Sequence, residues 1–473
     1  MASSIKERRR CLDDLPDVLL VRIMSRLLSS RHLHCCGLVS KKWRDLATRV
    51  THFRLDSSSP AAEEGLVRWF HPDHGNNLRY LDIARFPCYR KNASSTRWLQ
   101  VLGKTLHSLR LRRPPKQKFE DFWSSVSECH ELRCLHVYAS IGTALPPTMA
   151  LHNLLYCVIF VTVVDVCAVQ QLLEQCPSLI FFCLGSMAVP EESHVELLKS
   201  SSLDCLEIRS RCGGAATIAI DMPNLRWLTV SSGPCVELRP STCNIEGVQL
   251  HGRVRHQGLC HSLNKLKSIT LSNSFRSPAN VLERVLPLVP SLGGVKELSL
   301  LVGDHDFQLR SFKLAAFLEL FHGLEVLRIA RTSIKALSLD KWSSRQSPLM
   351  VFIEAAFRSE SGGIWESDDI DFLWELMRSS ECVRLLDLRG FVYRYEPPDF
   401  RPQVPAAFEV LSQAFPGRIK VHPLLFDVPA QCRMLWRTQE ARFKSEPPYT
   451  AIQHWCKHMH SMETSAFEGC AWQ

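Results

Sequence analysis

Residues 106–111 read LHSLRL. Apolar side chains stand at the first, fourth and sixth positions. In an extended chain Leu109 and Leu111 then share one face, while Arg110 and Arg112 share the other. The same frame returns as LRYLDI at 78, LRCLHV at 132, LLYCVI at 154, LIFFCL at 179, LDCLEI at 203 and LRWLTV at 225. It continues as IEGVQL at 245, LKSITL at 266, VKELSL at 295, LEVLRI at 324 and VRLLDL at 383, with a degraded copy, PLMVFI, at 348. Most successive copies start roughly 20 to 29 residues apart, a spacing that random apolar alternation would not hold.

That period is the leucine-rich-repeat period. Several frames follow a helical pattern, such as VQQLLEQCPSL at 169–179 or LAAFLELFHGL at 314–324. A helix–strand unit of this size cannot bury its apolar face alone and must stack on its neighbours. The expected fold is therefore α/β: a short all-helical segment followed by a curved leucine-rich-repeat solenoid, with the parallel sheet inside and helices outside. Repeat lengths are irregular, and the asparagine-ladder positions of regular repeats are missing. The domain reading is a basic tail at 1–10, a helical module at 11–50, a linker or first-repeat cap at 51–77, the solenoid at 78–395 and a C-terminal cap and tail at 396–473. The linker reading rests on DSSSPAAEEG at 56–65. In the last segment AAFEVLSQAF reads as a helix and RIKVHP as a strand.

The 473 residues are 45% hydrophobic and 22% charged, ordinary composition for a folded chain. Nineteen cysteines are an odd number without a regular framework, and read as reduced thiols of an intracellular protein of the cytoplasm or nucleus. Asp13, Asp14 and Asp17 interrupt any signal-peptide core after the basic start. The longest apolar run, 154–164, is too short to span a membrane.

The segment CLDDLPDVLLVRIMSRLL offers Asp13 and Asp14 as helix N-caps and Pro16 in a first turn. Leu15, Leu19, Ile23 and Leu27 then recur every four residues, and a second stripe runs through Leu33, Leu38, Val39, Trp43 and Leu46. About fifty residues without disulfide or metal make a marginal core, so much of this surface needs cover from elsewhere. The run LPDVLLVRIMSRL, a polar turn and LVSKKWRDLA resemble the F-box of plant-type F-box/leucine-rich-repeat proteins. The resemblance implies a non-catalytic receptor that joins a Skp-type adaptor, and through it a cullin, in a ubiquitin ligase. It implies adaptor contacts at Leu15, Pro16, Leu19, Ile23, Leu27, Leu38, Val39 and Trp43. Ser29-Ser30 stand where many plant members carry proline, and Cys35-Cys36 fill sites often held by Val, Thr or Ser.

The target would meet the open face of the sheet, where strand alternation places Arg110, Arg112, His136, Tyr138, Phe160, Arg209, Trp227 and Arg328. Two other readings compete with a ligase receptor. One is a repeat scaffold whose helices pack on its own first repeats. The other is a binder of an anionic ligand through 79–118, where eleven Lys and Arg face only Asp82. The lack of interleaved stacking aromatics argues against nucleic acid.

No phosphate-binding loop, nucleophile elbow, H-E-x-x-H or C-x-x-C occurs. HWCKHMH gathers His454, Cys456, His458 and His460 but lacks the second, separated ligand pair of a structural zinc site. No cofactor or metal is expected.

Overall fold

The inward positions of the repeated frame build the sheet. The computed structural model describes residues 12–27, 30–55, 60–70, 77–83, 97–112, 119–138, 151–160, 166–185, 195–209, 217–231, 235–251, 256–257, 263–272, 292–301, 312–314, 318–330, 337–338, 349–354, 367–379, 383–389 and 406–422. Two compact units divide the chain near residue 162.

The first unit opens with helices α1 (Asp17–Leu27), α2 (Ser30–Val39) and α3 (Lys41–Ala47). Helix and strand then alternate: β1 (His52–Leu55), α4 (Pro60–Trp69), β2 (Tyr80–Ile83), α5 (Arg97–Leu102) and β3 (Ser108–Arg112). They are followed by α6 (Phe119–Ser127), β4 (Cys134–Tyr138) and β5 (Tyr156–Phe160). The five strands are parallel and pair in chain order. Phe53, Leu81, Leu109, Leu135 and Cys157 lie opposite one another across the strands, and Leu55, Ile83, Leu111, Val137 and Ile159 do the same two positions on. All ten are buried. Burying one such aliphatic side chain is worth about 1.5–3 kcal/mol, and a one-residue slip would turn the whole row to solvent, so the pattern fixes the register.

In the second unit α7 (Val166–Gln175) leads to β6 (Phe181–Gly185), β7 (Val195–Lys199), β8 (Cys205–Arg209), β9 (Thr217–Asp221), β10 (Trp227–Ser231), β11 (Cys235–Leu238) and β12 (Gly247–His251). Next come β13 (His256–Gln257), β14 (Ser268–Ser272), β15 (Glu297–Leu301), β16 (Phe312–Lys313), β17 (Val326–Ala330), β18 (Leu337–Ser338) and β19 (Leu349–Glu354). The last elements are α8 (Ser367–Ser379), β20 (Val383–Arg389), α9 (Ala406–Ala414) and β21 (Ile419–His422). Ten of these strands form a parallel sheet in the order β6-β8-β10-β12-β14-β15-β17-β19-β20-β21. All thirteen copies of the frame form strands of the two ladders, flanked by β1 and β21.

The return path departs from the expected helices between residues 195 and 257. There β7, β9, β11 and β13 form a second parallel sheet. The frames at 203, 225, 245 and 266 are about twenty residues apart. That leaves room for one short strand and two crossings but not for a three-turn helix.

The rim ahead of the strands carries a ladder that the sequence reading missed. Asn153, Asn224 and Asn244 each stand immediately before a frame and donate a side-chain N–H to a carbonyl of the preceding repeat, at 2.8 Å to His130, 2.5 Å to Ser201 and 2.6 Å to Pro223. Thr105 makes the equivalent bond to Leu78 at 3.1 Å. These bonds satisfy turn carbonyls that the sheet leaves open.

The segment expected as a linker contains the start of α4. Trp69 at its end donates its indole N–H to the Ala47 carbonyl at 3.1 Å, tying α4 to α3. On the second sheet Trp227 lies across Gly247 of the neighbouring strand, where a Cβ would stand 1.8 Å from the ring. Gly247→Val should therefore destabilise the second unit by about 1–3 kcal/mol through overpacking. Urea unfolding monitored by tryptophan fluorescence checks this, with Gly65→Ala, inside α4 where a Cβ meets nothing, as a control that should not destabilise.

Candidate functional site

The N-terminal helices carry two apolar faces. On α1, Leu20 and Met24 turn inward and are fully buried, one helical turn apart, with Leu33, Leu46, Ala47 and Val50 also buried in this unit. The other face is left outside. Val18 is 77% exposed, and Leu19, Ile23 and Leu27 follow it along the helix, all exposed. Leu38 at 66% and Val39 at 64% add the end of α2, and Leu12 lies exposed in the turn before α1. Of the large exposed apolar residues among those described, seven belong to 12–39 and only Leu197 and Val410 lie elsewhere. Single exposed leucines are ordinary; seven within one helical module are not.

Local chemistry holds the helices in this pose. The Ser40 hydroxyl caps α3 by accepting the Trp43 N–H at 3.2 Å, and the Arg44 guanidinium donates to the Gly37 carbonyl at 3.2 Å. Lys42 reaches Asp17 at 3.1 Å, an exposed pair of small energetic value. Thr51 joins the module to the sheet: its N–H donates to the Ser25 hydroxyl at 3.1 Å, and its carbonyl accepts the N–H groups of Arg79 and Tyr80 at 2.9 and 3.0 Å.

Of the adaptor candidates, Leu19, Ile23, Leu27, Leu38, Val39 and Pro16 are exposed, whereas Leu15 and Trp43 are half-buried. Leu12 and Val18 extend the same surface and escaped the sequence reading, although each stands three residues from Leu15, the spacing of helical neighbours. Strand β1 also escaped it, although Val50, Phe53 and Leu55 repeat the apolar-x-x-apolar-x-apolar frame.

The target-binding candidates fare differently. They occupy the outward positions of their strands, but His136 is fully buried and Trp227 is 4% exposed. Arg328 donates to Glu297 at 2.6 Å and keeps only 12% of its side chain exposed. Neighbouring strands are about 4.8 Å apart, so large outward side chains cover one another and project little. These three pack within the sheet face. Arg110, opposite Asp82 and His136, and Phe160 are half-buried. The side chains of Arg112, Tyr138 and Arg209 are not among those described, and His454, Cys456, His458 and His460 lie outside the described residues.

A family model described as F-box-like matches residues 12–55. The chain carries an F-box-like domain. Its matched stretch takes in the three helices, the exposed apolar face, Thr51 and all of β1, so the domain ends as the first strand of the parallel ladder. A search among curated proteins found no match to the chain.

No described helix is long and apolar enough to cross a membrane. Burial pushes the Cys129 thiol up to about 12 and that of Cys176 to about 11, which makes both poor nucleophiles. In the F-box-like domain His52 stacks on Tyr80 with ring centroids 4.1 Å apart, and burial lowers its pKa from 6.5 to about 4.

Two outcomes follow from this geometry. Met24→Ala should cost about 2–5 kcal/mol in urea unfolding, whereas Ile23→Ser, one residue away on the open face, should change stability by no more than about 0.5 kcal/mol. Because the folded state holds His52 neutral, its stabilising effect is complete above pH 6.5 and is lost as pH falls towards 4. The pH dependence of the midpoint over that window should flatten in His52→Gln.

Proposed function

We propose that this chain is the substrate-recognition subunit of a cullin-based ubiquitin ligase. Its F-box-like domain docks a Skp-type adaptor, and its repeats present a target protein. The observation that carries this reading is the concentration of exposed apolar side chains at Leu12, Val18, Leu19, Ile23, Leu27, Leu38 and Val39, inside the stretch that the family model matches. A scaffold whose helices only pack on their own first repeats would consume that face. Here the internal packing uses Leu20, Met24, Leu33 and Leu46 and leaves the other face in water.

The contribution to ubiquitin transfer is proximity. Holding a target near the charged conjugating enzyme makes a bimolecular encounter effectively intramolecular, and no residue of this chain touches the reacting atoms. The protein is thus a receptor rather than an enzyme. As in plant-type F-box proteins with leucine-rich repeats, the target would meet the repeat region at faces and loops flanking the tightly packed outward row.

Leu38→Asp combined with Val39→Asp should weaken capture of a co-expressed Skp-type adaptor by at least about tenfold, since charged groups would be forced into an apolar contact. The fold should persist, because both side chains already face solvent. Wild-type adaptor capture by the folded double variant would overturn the docking assignment.

A further inference from the structure

One row of the first unit breaks a charge pattern that the second unit keeps. The second position of each frame lies on the rim just before its strand. His107 donates its N–H to the Arg79 carbonyl at 2.8 Å, and Arg133 donates to the His107 carbonyl at 2.8 Å. Arg79, His107 and Arg133 therefore stand on three successive rungs, about 4.8 Å apart. In the second unit this position carries matched charges: Arg226 pairs with Asp204, Lys267 with Glu246 at 3.0 Å and Lys296 with Glu325 at 2.7 Å. Among the described residues, no acid pairs with Arg79 or Arg133, both of which are exposed.

A cavity of about 420 Å³ opens beside Arg79, between α1, the end of α3 and the start of β2. Arg49, Thr51, Asn77 and Tyr80 line it, together with Asp17, whose carboxylate is already engaged by Lys42. Among the described residues, neither Arg49 nor Arg79, which both border this cavity, has a carboxylate partner, and a third guanidinium stands two rungs away. The electrostatics agree. Burial lowers the pKa of His107, and the charges of Arg79 and Arg133 push it the same way, with Glu131 opposing. Burial raises that of Tyr80, which keeps its hydroxyl a donor.

We infer that Arg49 and Arg79 form an anion-binding site in this cavity, extended along the rim by Arg133, that takes a phosphate monoester or polyphosphate group. Guanidinium suits this ligand because its planar fork of donors meets two phosphate oxygens at once. The cavity is larger than one phosphate, and has room for the residue or small molecule that carries it. Val18 of the proposed adaptor contact also lines this cavity, but the anion site does not require the ligase reading.

Two probes test the site on the full chain by titration calorimetry at low salt: inorganic pyrophosphate, and a short phosphoserine peptide beside its unphosphorylated form. Binding of either phosphate probe is expected, weakening as added salt shortens the screening length. Arg79→Gln with Arg133→Gln should reduce affinity by about tenfold or more while circular dichroism stays unchanged. Lys296→Gln, taken from the matched row of the second unit, should bind as wild type. Preference for the phosphopeptide over its unphosphorylated form would place the anion on a protein, and preference for pyrophosphate would make it a small polyanion. Absence of binding by both probes, undiminished binding by the double variant, or an equal loss in Lys296→Gln would overturn the site.

Discussion

The structure depends on stacking two inward apolar residues per frame in register from strand to strand. Leu81 against Leu109 against Leu135, and Ile83 against Leu111 against Val137, set the strand direction and the phase of every outward residue. The same constraint limits what the outward face can be. Backbones at ladder spacing hold the outward row close, and Thr229, Gln249, Thr270 and Ser299 in it are buried. Trp227 and Arg328 lie within that packed face, Arg328 bonded to Glu297.

The same ladder reaches into the F-box-like domain. Its last residues are a strand, and Thr51 bonds to α1 on one side and to the start of β2 on the other. With Trp69 fastening α4 to Ala47, the helices become an end piece of the first unit rather than a bead on a flexible tether. Such an end piece buries one apolar face and leaves a second exposed. The division puts Leu20 and Met24 on the inner side of α1 and leaves Leu19, Ile23 and Leu27 exposed on the other.

Much of this was legible in the sequence because the frame has a period and the period has a physical cause. Every frame became a strand, and the helical module formed where its stripes lie, although Asp13 and Asp14 fall in a short turn before α1 rather than capping it. Three things were hidden. The sequence showed the stripe Leu15, Leu19, Ile23 and Leu27 but not that Leu20 and Met24 would take the interior, since both faces of α1 are apolar. The strands β7, β9, β11 and β13 are short and gain their stability only by pairing with one another, so no local pattern announces them. Burial of His136 and Trp227 follows from neighbours supplied by other repeats, which a single frame does not contain.

The open apolar face of the F-box-like domain is the proposed docking surface. Hydrogen–deuterium exchange on the chain, with and without a Skp-type adaptor, tests it most directly. Amide exchange is expected to slow across Asp17–Leu27 and around Leu38 and Val39 when the adaptor is present, with no change in the strands of the second unit. Unaltered exchange in the helices, or protection confined to the sheet, would contradict it.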